Sequence, residues 1–254
     1  MTEVITVLIG TFIGLNSGMF GVGGALLATP LLRLILGLSE IHSVATPLPA
    51  AIPAAISGSI VYIRSRMVRF DVAWRALAAA IPMSQVGVLL TGRTPGTLLM
   101  VLTGLILANS AWLFIERGFA RAVDPALPAP VHAERPAWML FAGGAIAGFI
   151  SGFLAIGGGI VLVPVFVKIL RMETKEAVAT SLFCVAALAI PGTIGHAIEG
   201  NILWPTALLL SAGVIPFGFI GARWASTMRT RTLERTYGVV MLVFAIYFVI
   251  RQLS

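Results

Sequence analysis

The chain has 254 residues, of which 58% are hydrophobic and only 11% charged, and its mean hydropathy is +1.00. A soluble domain carries roughly twice that share of charge, so the composition excludes an ordinary soluble fold and indicates an integral membrane protein. The 17 Lys and Arg residues outnumber the 10 Asp and Glu residues. Basic cytoplasmic loops explain such an excess in a membrane protein, and we therefore expect no nucleic-acid partner.

The apolar runs fall into two sets of four. The first set covers 4–36, 43–63, 72–91 and 96–116, and the second covers 138–170, 178–198, 204–222 and 233–250. Between the sets, prolines alternate with charged residues, which predicts a solvated linker that cannot cross a bilayer. We therefore expect a first membrane repeat at 1–116, a Pro-rich linker at 117–137 and a second membrane repeat at 138–254.

An internal duplication relates the two sets. Aligning residue i with residue i+134, without any gap, pairs glycines, prolines and small polar residues from Gly14 with Gly148 to Gly104 with Gly238. Other matched pairs are Ser17 with Ser151, Gly18 with Gly152, Gly23 with Gly157, Gly24 with Gly158, Pro30 with Pro164, Pro82 with Pro216 and Gly87 with Gly221. Duplicated membrane halves are typical of transporters.

Equivalent loops of the two halves carry opposite charge patterns. In the first half the loop at 64–71 is basic, and the loops near 39–42 and 93 hold little positive charge. In the second half the loops at 168–175 and 223–235 are basic, and the loop between them holds only Glu199. Because basic loops face the cytoplasm, equivalent loops are expected on opposite sides, which makes the halves inverted repeats.

Inversion requires the first apolar run of each half to enter the bilayer and return on the same side. The sequence therefore predicts an all-α integral membrane protein of two inverted repeats. Each repeat has about four apolar elements, the first of them a broken or re-entrant helical hairpin with a glycine-rich bend. Both termini are then expected outside the cell and the linker in the cytoplasm.

The glycine-rich bends are the first candidate site. Each bend opens a new helix, whose free N–H groups carry about half a positive charge, and glycine lets an anion approach the backbone closely. The alternative is that these small residues only let helices pack closely in lipid. The bend residues that we expect to bind an anion are Gly21, Gly23, Gly24, Gly157, Gly158 and Gly159.

Hydroxyl groups begin the next helix of each half. Thr46, Thr180 and Ser181 can donate hydrogen bonds to an anion, or they can bond the carbonyl one turn earlier, which is the commoner use of Thr in a membrane helix. His196 and Glu199 are expected at an outer loop edge with a surface role, and a pH-sensitive gate is the alternative.

Catalytic signatures are absent from the sequence. No Asp or Glu lies in the middle of an apolar run, and a single cysteine, Cys184, cannot form a thiolate metal cluster. We therefore expect a protein that is not an enzyme and that holds neither a cofactor nor a metal.

At these residues the sequence resembles the TauE/SafE family of sulfite exporters and related probable membrane transporters. The resemblance rests on Gly14 to Pro30 and Gly148 to Pro164, followed by Ala45-Thr46-Pro47 and Ala179-Thr180-Ser181. It implies a multi-pass plasma-membrane protein that moves sulfite, sulfonates or other small sulfur-containing or organic anions. Two departures are the replacement of Gly21 by Ala155 in the second half, and Pro47 where the family usually has Ser.

We therefore expect a transporter of small anions, with the anion bound at the glycine-rich helix ends between the two repeats. The direction, export, comes from the resemblance alone. An anion channel or an uptake permease on the same scaffold is the alternative. The expected partners are a small anionic substrate and the lipid bilayer of the cell membrane, with a second copy of the chain as a further candidate.

Overall fold

The computed structural model describes residues 2–21, 23–119 and 137–253, and its regular structure is helical throughout these ranges. The first half contains α1 (Thr2–Phe20), α2 (Ala25–Ile35), α3 (Glu40–Ala45), α4 (Pro47–Arg64), α5 (Phe70–Thr91) and α6 (Gly96–Phe119). The second half contains α7 (Ala137–Leu154), α8 (Gly159–Pro164), α9 (Thr174–Ile198), α10 (Trp204–Thr227) and α11 (Thr230–Leu253). A π-helical turn (Val165–Ile169) extends α8. The predicted all-α class is confirmed.

Within the described residues, five helical segments are long and apolar enough to cross a membrane. They are α1, α3 together with α4, α5, α9 and α10. Each approaches or exceeds the roughly 20 residues that cross a hydrocarbon core of about 30 Å. Large apolar side chains such as Trp74, Leu208 and Ile198 are exposed on the outside of these segments, as expected for surfaces that contact lipid. The chain is a multi-pass membrane protein.

The helix boundaries repeat at the same offset as the sequence. Helix α2 spans Ala25–Ile35, and α8 with its π-helical turn spans residues 159–169, which is the same range moved by 134 residues. Helices α5 and α10 begin at Phe70 and Trp204, which differ by the same number. Residues 120–136, which hold most of the predicted linker, lie outside the described residues.

Two equivalent helix pairs pack through glycine. On α1, a methyl group at Gly10, Gly14 or Gly18 would contact the backbone of α10 at Leu210, Val214 or Gly218, respectively. On α7, Gly144, Gly148 and Gly152 meet the backbone of α5 at Ala76, Ala80 and Ser84 in the same way. A small residue every fourth position lets two helices approach closely. The structure therefore supports a role in close helix packing for these six glycines.

The residue pairs in contact give the direction of each helix. Residue numbers rise together along α1 and α10, and along α5 and α7, so each of these pairs is parallel. Helices α4 and α10 are also parallel, since Gly218 faces Ala54 and Ala222 faces Gly58. Helices α4 and α9 are antiparallel, because Gly58 faces Leu182 at one end and Gly192 faces Leu48 at the other.

Helices α5 and α9 run parallel. The Arg69 backbone N–H donates to Thr180 near the start of both helices, and Gly195 faces Val88 near their ends. Helices α1, α4 and α10 therefore run in one direction, and α5, α7 and α9 run in the opposite direction.

One end of the bundle collects the basic loops, and we call it the basic end. The Lys175 ammonium donates to the carbonyl oxygen of Ser226 at 3.0 Å, which joins the start of α9 to the end of α10. The bond from Arg69 to Thr180 joins the start of α5 to the same region at 3.0 Å. The basic residues of these three loops are Arg64, Arg66, Arg69, Lys168, Arg171, Lys175, Arg223, Arg229, Arg231 and Arg235.

The opposite end carries few charges, and we call it the charge-poor end. Here the Leu203 backbone N–H donates to the Thr46 hydroxyl at 3.2 Å, which joins the starts of α4 and α10. A Cβ placed at Gly92 would lie 3.8 Å from a carboxylate oxygen of Glu199, so the loops after α5 and α9 also meet here. An ion pair between Arg33 and Glu40 closes the gap between α2 and α3.

Helix α2 folds back along α1. Gly24, at the start of α2, contacts Ile13 and Ser17 on α1, and Ile35 at its other end lines a groove with Ile5 near the start of α1. Because the two helices lie antiparallel, the chain reverses its direction inside the bundle between the end of α1 and the start of α2. The core around this turn is apolar and includes buried Phe20, Ile156, Leu182, Val185 and Tyr237.

Candidate functional site

Both glycine-rich bends are built from residues with left-handed backbone angles. In the first bend, Gly21, Gly23 and Gly24 have φ values of 69°, 76° and 71°, and in the second, Gly157 and Gly158 have 76° and 75°. Gly24 and Gly158 are the N-cap residues of α2 and α8. A side chain strains the backbone in this region, which favours glycine in these sharp reversals. The exception is Ala155, equivalent to Gly21, which has a φ of 50° in the second bend.

The two bends lie against each other at the middle of α9. A Cβ placed at Gly23 would lie 2.6 Å from a methyl carbon of Val185, and one placed at Gly157 would lie 3.1 Å from the same carbon. The Cβ position of Gly23 is also 3.7 Å from the carbonyl oxygen of Ile156 in the second bend. Two segments that are far apart in sequence therefore share one buried location.

Ser181 connects the two bends directly. Its hydroxyl lies 3.0 Å from the carbonyl oxygen of Gly21 and 3.2 Å from that of Gly159, and the side chain is fully buried. A hydroxyl has one proton, so it donates to one of these carbonyls at a time and its oxygen remains an acceptor. The equivalent residue of the first half is Pro47, which has no hydroxyl, so this connection is made from the second half only.

The helix that leaves the second bend keeps free backbone donors. The first bonds into α8 run from the N–H groups of Val161 and Leu162 to the Gly158 carbonyl, at 3.1 and 3.0 Å. Within the described residues, the N–H groups of Gly159 and Ile160 have no such acceptor. Unpaired N–H groups at a helix start form an electropositive end that favours an anion.

The two predicted threonines hold helices of the opposite half. Thr180 accepts the backbone N–H of Arg69 at 3.0 Å, and Thr46 accepts the backbone N–H of Leu203 at 3.2 Å. Both hydroxyls are fully buried. Each fixes the residue that precedes a long helix, and each keeps its own proton for one further acceptor. Their role as anion ligands stays a prediction.

His196 is buried, and its predicted surface position is wrong. Its ring nitrogen Nε2 lies 2.9 Å from the carbonyl oxygen of Gly152, and the equivalent Tyr62 donates its hydroxyl to the carbonyl oxygen of Gly18 at 3.0 Å. Both side chains hold the last turn of the helix before a glycine bend. Glu199, in contrast, is exposed.

The aligned residues at these two positions differ in type, which hid their common role in the sequence. A phenol and an imidazole both donate to a carbonyl oxygen, so either residue type satisfies the same position. The signal that could have found them was the register itself, which pairs Tyr62 with His196 and Gly18 with Gly152. In the part of the chain that the structure describes, no group of three His, Cys, Asp or Glu residues forms a metal-binding cluster.

Comparison with protein families identifies the chain. The model of the sulfite exporter TauE/SafE family matches residues 6–248, which is nearly the whole length. The chain belongs to the sulfite exporter TauE/SafE family. It is a membrane transporter of this family, which confirms the class that the sequence predicted.

Curated relatives support the same class over the full length. A probable membrane transporter protein of Xylella fastidiosa is 28% identical over 265 residues, covering 98% of this chain and 95% of the relative. The probable membrane transporter protein YunE of Bacillus subtilis is 25% identical, with 96% of each chain covered. The probable membrane transporter protein MJ0441 of Methanocaldococcus jannaschii is 24% identical, with 86% of this chain and 85% of the relative covered. No solved structure matches the chain significantly.

Proposed function

We propose that this transporter exports small anions such as sulfite, sulfonates or related sulfur-containing or organic anions across the cell membrane. The anion binds between the two glycine-rich bends, at the N-terminal ends of α2 and α8, with Gly21, Gly23 and Gly24 on one side and Gly157, Gly158 and Gly159 on the other. Ser181 lies between the bends, and Thr46 and Thr180 support the helices around them. The family name motivates the choice of sulfite and of export.

The observation that carries this proposal is the meeting of the two bends beside Val185. Two helix starts at one buried location bring together the electropositive ends of one helix from each half, and their partial charges add. The N–H of Ala25, at the start of α2, already bonds the Gly23 carbonyl at 2.9 Å, so the free donors described above come from α8. Such a site attracts an anion without a lysine or arginine, whose charge would be costly at the centre of a bilayer. A weak, backbone-lined site also lets the anion leave, which transport requires.

We further propose that the halves are inverted repeats. The helix directions support this, because α1 runs opposite to α7, α4 opposite to α9, and α5 opposite to α10, and each of these pairs is equivalent in the duplication. Rocking of one inverted half against the other is a common route to alternating access around a fixed site.

The charge distribution gives the orientation in this proposal. The basic end faces the cytoplasm, since loops rich in Lys and Arg stay on that side. Helices α1, α4 and α10 then run from the outside toward the cytoplasm, and the N-terminus lies outside with the charge-poor end.

Transport of radiolabelled sulfite by purified protein in liposomes tests the function. We expect sulfite to enter empty proteoliposomes, or to leave loaded ones, at a rate that saturates with sulfite concentration. This rate should exceed the rate measured with protein-free liposomes. An imposed pH gradient separates coupled export from passive flow, because a passive channel follows only the anion's electrochemical gradient. Absence of sulfite, sulfonate and organic-anion movement under all these conditions would refute the proposal.

A further inference from the structure

Two equivalent serines lie beside the N-cap glycines of the bends. A Cβ placed at Gly24 would lie 3.2 Å from Cβ of Ser17, and a Cβ placed at Gly158 would lie 3.2 Å from Cβ of Ser151. The duplication pairs Ser17 with Ser151 and Gly24 with Gly158. The same serine therefore stands at the same distance from the start of a new helix in each half.

The Ser17 hydroxyl has no partner among the residues that the structure describes. Ser17 is fully buried, and its oxygen finds no hydrogen-bond partner among the described residues. Ser151, at the equivalent position of the second half, is also buried, with 2% of its surface exposed. Serines in membrane helices normally bond the carbonyl one turn earlier, as Ser211 does in α10. A buried hydroxyl without a partner is costly, so the unpaired Ser17, repeated as a buried serine in the second half, calls for an explanation.

Each serine lies beside the start of a helix, and both helices are long enough for that start to be electropositive. Helix α2 has 11 residues, and the six residues of α8 continue directly into the five residues of the π-helical turn. An anion at either helix start would therefore have a hydroxyl donor beside the backbone N–H groups. Hydrogen bonds to a charged acceptor are about twice as strong as those between neutral groups.

We infer that Ser17 and Ser151 are anion ligands, one for each bend. The transported anion accepts a hydrogen bond from the Ser17 hydroxyl, which the protein leaves unpaired, and from Ser151 at the equivalent position. This inference rests on the proposed anion site at the bends. Two hydroxyls from opposite sides suit an oxyanion such as sulfite or a sulfonate, which presents acceptor oxygens in several directions. Ser181 differs from them, because its proton already bonds a bend carbonyl.

The test compares Ser17→Ala, Ser151→Ala and the double variant with Ser84→Ala. Ser84 is an equally buried serine whose hydroxyl donates to the carbonyl oxygen of Ile81 at 2.7 Å. For each purified full-length protein, binding of radiolabelled sulfite and the melting temperature without ligand are measured. The pair of measurements separates a ligand from a structural hydroxyl, since a structural hydroxyl stabilises the protein without sulfite.

We expect each single variant at Ser17 or Ser151 to raise the Kd for sulfite about tenfold, the change that corresponds to one lost hydrogen bond to a charged group. The melting temperature of neither variant should fall, and that of Ser17→Ala should stay equal or rise because an unpaired hydroxyl has been removed. Ser84→Ala should keep the wild-type Kd.

An unchanged Kd in the double variant, with sulfite binding intact in the wild type, would overturn this inference and leave the proposed function standing. A lower melting temperature with an unchanged Kd would assign the serines a structural role. Failure of the wild-type protein to bind any of the proposed anions would remove both the proposed function and this inference.

Discussion

Replacement of Gly158 by alanine is the sharpest single perturbation of the second bend. Its φ of 75° lies in the region where a Cβ costs about 1–2 kcal/mol. The new methyl carbon would lie 3.2 Å from Leu188 Cδ1 and from Ser151 Cβ and 3.3 Å from the carbonyl oxygen of Ala147, which requires these three neighbours to move by a few tenths of an ångström. We therefore expect Gly158→Ala to fold, with a free energy of unfolding lowered by about 1–2 kcal/mol plus a small packing cost.

The chain offers a matched control at Gly200. Its φ is 71°, and a Cβ there would have no atom within 4 Å, so Gly200→Ala carries the backbone cost alone and lies in the loop after α9. Both variants should lose similar stability, measured by thermal or denaturant unfolding in the same detergent. Any difference between them in anion binding then reports on the bend and not on stability.

The expected loss of affinity follows from the helix end. A charge at a partly buried helix terminus gains up to about 2 kcal/mol, which corresponds to roughly 30-fold in Kd. A methyl group over the start of α8 keeps the anion away from those N–H groups, so Gly158→Ala should weaken sulfite binding by up to that factor and slow transport in liposomes. Equal, wild-type affinities in Gly158→Ala and Gly200→Ala would refute the placement of the anion at this bend.

Three further predictions use residues outside the glycines. Thr180→Val removes the acceptor of a backbone N–H from the opposite half and should lower the unfolding free energy by about 1–3 kcal/mol. Unchanged sulfite affinity in the folded variant would show that Thr180 is not an anion ligand. Tyr62→Phe leaves the Gly18 carbonyl without its hydroxyl donor and should lower the melting temperature, and an unchanged melting temperature would show that this bond contributes nothing. Cysteines at Arg66 and Arg231 should react with a membrane-impermeant thiol reagent from the same side, since both lie at the basic end, and labelling from opposite sides would contradict the inverted arrangement.

The sequence predicts the helical class and the position of the bends because both depend on local sequence patterns. Apolar runs require helices in lipid, where backbone groups must be paired internally. Glycines at Gly23, Gly24, Gly157 and Gly158 interrupt those runs at equivalent places, and the structure turns there. Helix boundaries such as the starts of α5 and α10 also differ by 134 residues, because equivalent residues begin equivalent helices.

The contacts across the bundle could not be predicted from those patterns. Thr46 and Thr180 accept N–H groups of residues that are distant in sequence, and this depends on which helix ends become neighbours. Sequence reasoning also placed His196 on the surface, because the aligned Tyr62 looks unrelated to it. A hydrogen bond to a carbonyl oxygen depends on the donor's position and not on its residue type, so identity matching misses it.

The most direct test of the account is to locate a bound anion. Selenite has the shape and charge of sulfite, and selenium gives an anomalous X-ray signal, so crystals of the wild-type protein soaked with selenite would reveal its position. The account predicts an anomalous peak between the two bends, within hydrogen-bond distance of backbone N–H groups at the start of α2 or α8. A fully occupied selenite peak elsewhere in the bundle, with both bends in contact with protein alone, would contradict it.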